Sequence, residues 1–553
     1  MLISLTKREF FYLAFLYFSG LFLRLYPRFT LHPHLLTFEA DIWYRLCLAQ
    51  YLLDHGSLPE WDIRYEAYGQ VPFWYNPLAV YCLAFLSKLF SLDLPTIASR
   101  VMPFVEATTI LPMYFLCRYL FNRTVAVIAT LFLQLSPSFI FWSGICTLQS
   151  FTLFLIPVMI MLWIKFLKNE FLFKNQWTHL TFMGILLAIN FLVHLSVFNL
   201  IMILISVHLA LILESQTQPK KFLYLLFPIG LSQILTMGWW LPHNLYWWWT
   251  QVLTTSSAFW EGLTFLKHYG FLSAILGHLS LIFLLLYILK HNKAFPTFYL
   301  IPVLWALFPM IESHNEGILK LINRQDLTWV NIIKPLEGFR FYCFLTQPLA
   351  ICFALMVYQL MQSNFFKHLK PKKVTAAAFL IILCSLLLGD MLKNYNLFGR
   401  FRNPQMQIEE IKAAWWFREN SKPTDRILTE YFTAQMFGGI CGGKSLMGSM
   451  FPLKNVKIPY ISEGWKVQKD IYSVFTTGDP LEIEEILQRY KCTHVFLSKK
   501  VLRHIELISK GDSVLEDIEG LEDKDFSLTL LNPQYFQSVY EDKDSKILKW
   551  IGS

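Results

Sequence analysis

A carboxylate pair, a guanidinium and a glycine-rich stretch are the parts of this sequence whose types and spacing fit chemistry. Glu39 and Asp41 stand in Phe38-Glu39-Ala40-Asp41-Ile42-Trp43-Tyr44-Arg45, ahead of an apolar run from Leu46 to Leu53 with helical spacing. Carboxylates so placed offer oxygen ligands to a hard cation, or a base within hydrogen-bond reach of an attacking group. They equally suit the positive end of a helix, where Asp41 would act only as a cap. Arg340, in Lys334-Pro335-Leu336-Glu337-Gly338-Phe339-Arg340-Phe341-Tyr342, presents fixed donors to phosphate oxygens and stays charged at any working pH. It would also suit snorkelling to lipid headgroups. Gly438-Gly439-Ile440-Cys441-Gly442-Gly443-Lys444-Ser445 matches the G-x-x-x-x-G-K-S phosphate loop literally. Such a loop joins a strand to a long helix, whereas Leu446-Met447-Gly448-Ser449 and Pro452 make a poor helix, so no nucleotide is expected.

The elements that must position these groups follow from composition. Of 553 residues, 55% are hydrophobic and 16% charged, where a soluble domain has roughly a quarter charged. A bilayer is the natural solvent for such a chain. With about 20 apolar residues per crossing, the spans are expected near 9–25, 101–119, 124–142, 150–168, 177–194, 196–214, 222–243, 269–290, 296–311, 340–362 and 373–391, about eleven in all. The first is read as an uncleaved span, because Arg24-Leu25-Tyr26-Pro27 follows where a signal peptide would carry small residues.

Lys and Arg collect in alternate short connectors: Arg118 and Arg123; Lys165, Lys168 and Lys174; Lys220 and Lys221; Lys290 and Lys293; Lys367 to Lys373. That pattern places the N-terminus in the cytoplasm. It also disposes of nucleic acid as a partner, because the net charge of +9 forms no basic stripe. Pro77 to Leu92 is apolar enough for a further span, which would invert everything downstream. It is therefore expected to lie in the outer interface, with Lys88 toward headgroups. The nine Cys sit mostly in apolar runs without paired metal spacing and read as small core residues.

Two domains result: residues 1–392, a membrane domain with a long first external loop over 26–100, and residues 393–553, an extracytoplasmic domain. In the latter Gln407 to Asn420 and Pro480 to Tyr490 have helical spacing, while Arg426 to Phe432 and Thr493 to Ser498 read as buried strands. The fold class is thus mainly α, a polytopic helical membrane bundle with a C-terminal mixed α/β domain.

The run from Arg24 to Leu78, with Glu39-x-Asp41, Trp61-Asp62, Tyr65 and Tyr75-Asn76-Pro77-Leu78 in order, resembles the first loop of the GT-C membrane glycosyltransferases, and in particular the catalytic subunit of oligosaccharyltransferase. Ser136-Pro137 through Ser143-Gly144, Ser256-Ser257-Ala258-Phe259-Trp260-Glu261 and Gly338-Phe339-Arg340-Phe341 fall in the order that family keeps. Two departures stand out. Thr147-Leu148-Gln149 replaces the family's second acidic pair, and Thr429-Glu430-Tyr431-Phe432-Thr433 stands where Trp-Trp-Asp-Tyr-Gly is expected.

The resemblance implies a bundle of about 11–13 spans and a transferase that moves a sugar or oligosaccharide from a polyprenyl-phosphate or polyprenyl-diphosphate carrier, with inversion, to a protein, glycan or lipid acceptor on the extracytoplasmic side. Asp41 and Glu39 take the catalytic place and could share Mg²⁺ or Mn²⁺. Arg340 holds the carrier phosphate, while Glu261, Tyr75 and Asp62 line the acceptor loops. For Glu261 the competing reading is an interfacial segment, since Trp239, Trp240 and Trp247 to Trp249 lie beside it. A transporter or flippase would place its polar groups near the midplane and show internal repeats, and no repeat is found here. A non-catalytic relative of the glycosyltransferases is the third reading, kept open by the missing acidic pair.

Overall fold

The computed structural model of the chain describes residues 5–30, 40–60, 63, 76–143, 149–173, 175–194, 196–250, 271–291, 296–321, 342–363, 378, 381–392, 408–446, 459–477, 479–502, 505 and 532–552, without the side chains of 27–30, 40–41, 240–250, 271, 312–321, 342, 459–466 and 468. The chain forms two compact units. One comprises Met1–Tyr26, Pro103–Trp240 and Thr255–Asn396; the other comprises Pro27–Met102, Leu241–Thr254 and Leu397–Ser553. The first-loop segment therefore groups with the C-terminal residues.

Each expected span overlaps a helix: α1 (Lys7–Thr30), α4 (Leu94–Leu120), α5 (Arg123–Gln134) with α6 (Pro137–Trp142), α7 (Gln149–Leu167), α8 (Gln176–Val193), α9 (Val197–Leu213), α10 (Leu223–Thr250), α11 (Phe271–His291), α12 (Leu300–Leu321), α13 (Tyr342–Gln362) and α14 (Ile381–Leu392). Six of the described helices are long and apolar enough to cross a bilayer by themselves, including α7, α11 and α13. The expected 124–142 span is broken, because Ser136 is extended (ψ 116°) ahead of Pro137, which has no N–H to continue α5. Helices α10 and α12 run past the expected ends at 243 and 311, so the connections that follow start as helix.

Helix α13 is the hub. It packs on α5, α6, α11 and α12, and Phe353 stacks on Phe132 of α5 with ring centroids 4.4 Å apart. Gly277 of α11 faces Leu349 so closely that a Cβ there would lie 3.1 Å from the leucine side chain. On α1, by contrast, Phe10, Phe11, Phe15, Phe18 and Phe22 are 57–70% exposed, an apolar stripe suited to lipid and costly in water.

Arg118, Arg123, Lys168 and Lys221, from three of the basic connectors, gather at one end of the first unit. There Glu9 accepts from Tyr114 Oη (3.0 Å), Arg118 Nε (3.1 Å) and Arg123 Nε (3.0 Å). Lys221 Nζ donates to the Leu167 carbonyl at 3.0 Å, and Lys168 lies 4.5 Å from the Phe298 ring centre. Toward the other end the buried Arg24 ties α1 to the close of α6, donating to Ser143 O (3.2 Å) and Oγ (2.5 Å).

In the second unit α2 (Ala40–His55) packs on α3 (Pro77–Phe90) and, more extensively, on α16 (Tyr431–Cys441). Helix α3 ends at Ser91 in the left-handed region (φ 53°), and Asp93 then caps a new helix through the Thr96 N–H at 2.8 Å, which makes a break after Phe90. It buries Val80, Leu83 and Ala84 while leaving Tyr81, Phe85 and Leu89 exposed.

The C-terminal residues add α15 (Ile408–Asn420), α17 (Pro459–Thr476), α18 (Pro480–Arg489) and a four-stranded sheet of order β1-β2-β4-β3, from β1 (Ile427–Leu428), β2 (His494–Ser498), β3 (Phe536–Asp542) and β4 (Ser545–Trp550). β1 runs parallel to β2, and the other pairs are antiparallel. The strand expected over Arg426 to Phe432 stops after two residues because Glu430 caps α16, its carboxylate accepting from the N–H groups of Phe432 and Thr433 at 2.9 Å.

Candidate active site

Asp41 lies in the first turn of α2, with Arg45 one turn on and thus on the same face of the helix. Its side chain is not described, and Glu39, Asp62, Tyr75, Glu261 and Arg340 lie outside the described residues. What the structure supplies is the frame. Ile42, Trp43, Leu46 and Leu48 of α2 are fully buried and Arg45 is nearly so. A Cβ on Gly439 of α16 would fall 2.5 Å from the Trp43 carbonyl oxygen, so the two helices meet backbone to backbone. Clamped at Trp43, two residues after Asp41, the helix start cannot drift without separating α2 from α16. Positions this tightly supported suit groups that must be held within fractions of an ångström.

A polar network fixes α16 in turn. The fully buried Lys500 lies 2.7 Å from Glu410 Oε2, 3.2 Å from Thr433 Oγ1 and 3.8 Å from Glu430 Oε1, while Ser498 Oγ donates to Glu410 Oε1 at 2.5 Å. Glu430, in the stretch standing where the acceptor motif was expected, is thus occupied as a helix cap and as a neighbour of Lys500.

The Gly438 to Ser445 stretch is the end of α16. Gly442 (φ 67°) and Gly443 (φ 86°) adopt left-handed conformations only glycine takes readily, and the Gly443 N–H returns to the Gly438 carbonyl at 2.9 Å. Lys444 Nζ is turned to Ser421 Oγ at 3.1 Å. A helix C-terminus presents carbonyls and a partial negative charge, the opposite of what a phosphate loop offers. Beside it a cleft of about 280 Å³ includes Asp54, Asp93 and Arg418 in its lining. Asp54 is 13 residues along α2 from Asp41, roughly 20 Å at the helical rise. The cleft is therefore separate from the Asp41 end.

Among the described residues no group of three or more His, Cys, Asp or Glu is placed to hold a metal ion. A set that reading the sequence missed lies at the end of the first unit opposite the basic connectors. Thr152 of α7 donates to Asn190 Oδ1 of α8 at 2.8 Å and touches the Ser196 hydroxyl. Gln347 Nε2 of α13 reaches the Leu153 carbonyl at 2.7 Å. The available signal was a carboxamide near the end of each of several apolar runs.

No protein-family model matches the sequence, and no curated protein sequence does either. Solved structures do. The archaeal oligosaccharyltransferase AglB of Archaeoglobus fulgidus, in complex with an inhibitory peptide and a dolichol-phosphate, is similar over 92% of this chain and 71% of its own, with a TM-score of 0.57 at 14% identity. Its apo form gives a TM-score of 0.59 at 13% identity, with 91% and 71% covered. ArnT from Cupriavidus metallidurans, bound to undecaprenyl phosphate, is similar over 99% of this chain and 98% of its own, with a TM-score of 0.53 at 11% identity. The chain has the GT-C fold. The similarity to ArnT extends through the C-terminal residues as well.

Proposed function

We propose that this GT-C chain is an inverting glycosyltransferase that moves a sugar or oligosaccharide from a polyprenyl-phosphate or polyprenyl-diphosphate carrier to a protein, glycan or lipid acceptor on the extracytoplasmic side of a membrane. The observation that carries the proposal is a fold shared over nearly the whole chain with ArnT bound to undecaprenyl phosphate, and over most of it with AglB bound to a dolichol-phosphate. The clamped start of α2 adds support, since it holds the backbone of Asp41.

In this reading Asp41 orients the acceptor nucleophile or takes its proton as it attacks the anomeric carbon. The bond from that carbon to the carrier phosphate breaks, and the phosphate leaves with the electron pair. Arg340 offsets the charge growing on it, a contribution that is large only where the donor is already in place. Glu261, Tyr75 and Asp62 are assigned to the acceptor side. A structure of the Archaeoglobus fulgidus enzyme holds Zn and sulfate. For a hard cation such as Mg²⁺ or Mn²⁺, Glu39 and Asp41 are the carboxylates assigned as oxygen ligands, and such a cation would supply charge neutralisation at the phosphate.

The test incubates purified protein with radiolabelled polyprenyl-linked sugars and candidate acceptors, with and without chelator. Asp41→Asn should lower transfer at least about a hundredfold while leaving the melting temperature unchanged. Full activity in that variant removes Asp41 from the mechanism, and absence of transfer from every polyprenyl-linked donor overturns the enzyme reading.

A further inference from the structure

Among the described residues, the carboxamides of Gln149, Asn190, Asn199 and Gln347 are buried near one another at one end of the membrane bundle with hydrogen-bonding atoms unfilled. Gln149, the first residue of α7, is 1% exposed, and neither its Oε1 nor its Nε2 has a partner. Asn190 near the end of α8 and Asn199 in the first turn of α9 are 0% and 1% exposed, each with Nδ2 unpaired; Gln347 in the second turn of α13 is 0% exposed with Oε1 unpaired. Contacts already described bring them together. Asn190 shares Thr152 with Ser196, Asn199 lies one turn beyond Ser196, and Gln347 bonds the Leu153 carbonyl, one turn beyond Gln149.

Buried polar atoms are nearly always satisfied, and each one left open costs free energy until something fills it. The character of the open atoms says what would. They are three N–H donor groups and two carbonyl acceptors on neutral side chains. An anion would use only the donors and a cation only the acceptors, while a hydroxyl donates and accepts at once. The geometry points to a neutral, hydroxyl-reading pocket, built by Gln149, Asn190, Asn199 and Gln347, that receives the sugar of the lipid-linked donor. This deepens the glycosyltransferase reading and rests on it. The donor's sugar is the natural occupant because it is joined directly to the carrier phosphate, and Gln347 follows the proposed phosphate anchor Arg340 by only seven residues.

The pocket is tested on the full-length protein in nanodiscs, by measuring the affinity of a polyprenyl-phosphate sugar and of the same polyprenyl phosphate without sugar. Gln149→Met and Asn199→Leu should each weaken the sugar-bearing carrier about tenfold and leave the bare carrier unchanged. Because each variant removes an unfilled polar group, the ligand-free protein should melt no lower than the native chain, which a merely structural carboxamide would not allow. Variants that bind the sugar-bearing carrier as tightly as the native chain, that lose both carriers equally, or that melt lower without ligand overturn the pocket alone. A native chain that binds neither carrier overturns the glycosyltransferase reading and the pocket with it.

Discussion

At the scale of single residues, the second unit depends on ionisable groups that folding has taken out of water. Burial of His494 in β2 pushes its imidazole down to about 4, with the Lys549 ammonium adding to that and Asp425 opposing it. The unfolded chain titrates near 6.5, so between the two values the unfolded state binds a proton the native state refuses. Stability is then lost as pH falls from about 6.5 to about 4, by up to about 3 kcal/mol. His494→Asn, which keeps an acceptor for Thr493 Oγ1, should be less stable at pH 7 and show a shallower pH dependence. Thermal melts of native and variant protein at pH 7 and pH 5 check this, and parallel losses would remove His494 as the cause. Lys500 makes a different case. It meets two buried carboxylates, so Lys500→Met removes the ammonium that Glu410 and Glu430 share and should cost about 3–5 kcal/mol. Adding Glu410→Gln should recover part of that loss in a double-mutant cycle; strictly additive losses would mean the two side chains are not coupled.

At the scale of elements, the contact between α2 and α16 is the one a small change breaks. A Cβ at Gly439 would meet Trp43 backbone, 2.5 Å from its O and 3.0 Å from its Cα, and backbone cannot swing aside. Gly439→Ala should therefore destabilise by about 1–3 kcal/mol and lower transfer through displacement of the helix that carries Asp41. Gly230→Ala, on a helical position with nothing within 4 Å, serves as the control and should be neutral or slightly stabilising. Equal melts for the two variants would show that the helices are not in contact.

The same elements show what a sequence makes legible. Every expected span has its helix, because a run of apolar residues has few other ways to satisfy its backbone in a bilayer. The α16 start was misread, since Ile427-Leu428-Thr429-Glu430 reads as a strand until Glu430 is seen capping the next turn. The β3-β4 hairpin went unread, because Lys543-Asp544 carries no glycine signal and β3 mixes Gln537, Ser538, Tyr540 and Glu541. The carboxamide set carries only a weak signal, for Gln347 meets the Leu153 carbonyl only once α7 packs near α13.

At the scale of the molecule, the parity of the membrane crossings decides whether the proposed chemistry has the right compartment. An odd count, about eleven, puts the residues near the two ends of the chain on opposite sides, while a crossing by α3 would make it even and bring them to the same side. The break at Ser91 and the exposed Phe85 and Leu89 on a helix of 14 residues favour α3 lying in the interface. On that count the positive-inside rule expects the described basic connectors in the cytoplasm. Cysteines introduced at Leu5 and Ile551, which are 41% and 51% exposed, report this directly once the exposed Cys82 has been changed to serine. In intact cells a membrane-impermeant maleimide should label Ile551→Cys at once and Leu5→Cys only after the membrane is opened. Labelling of both in intact cells, or of neither, would mean an even number of crossings. The reverse pattern would put the C-terminal residues in the cytoplasm, where an extracytoplasmic acceptor never arrives.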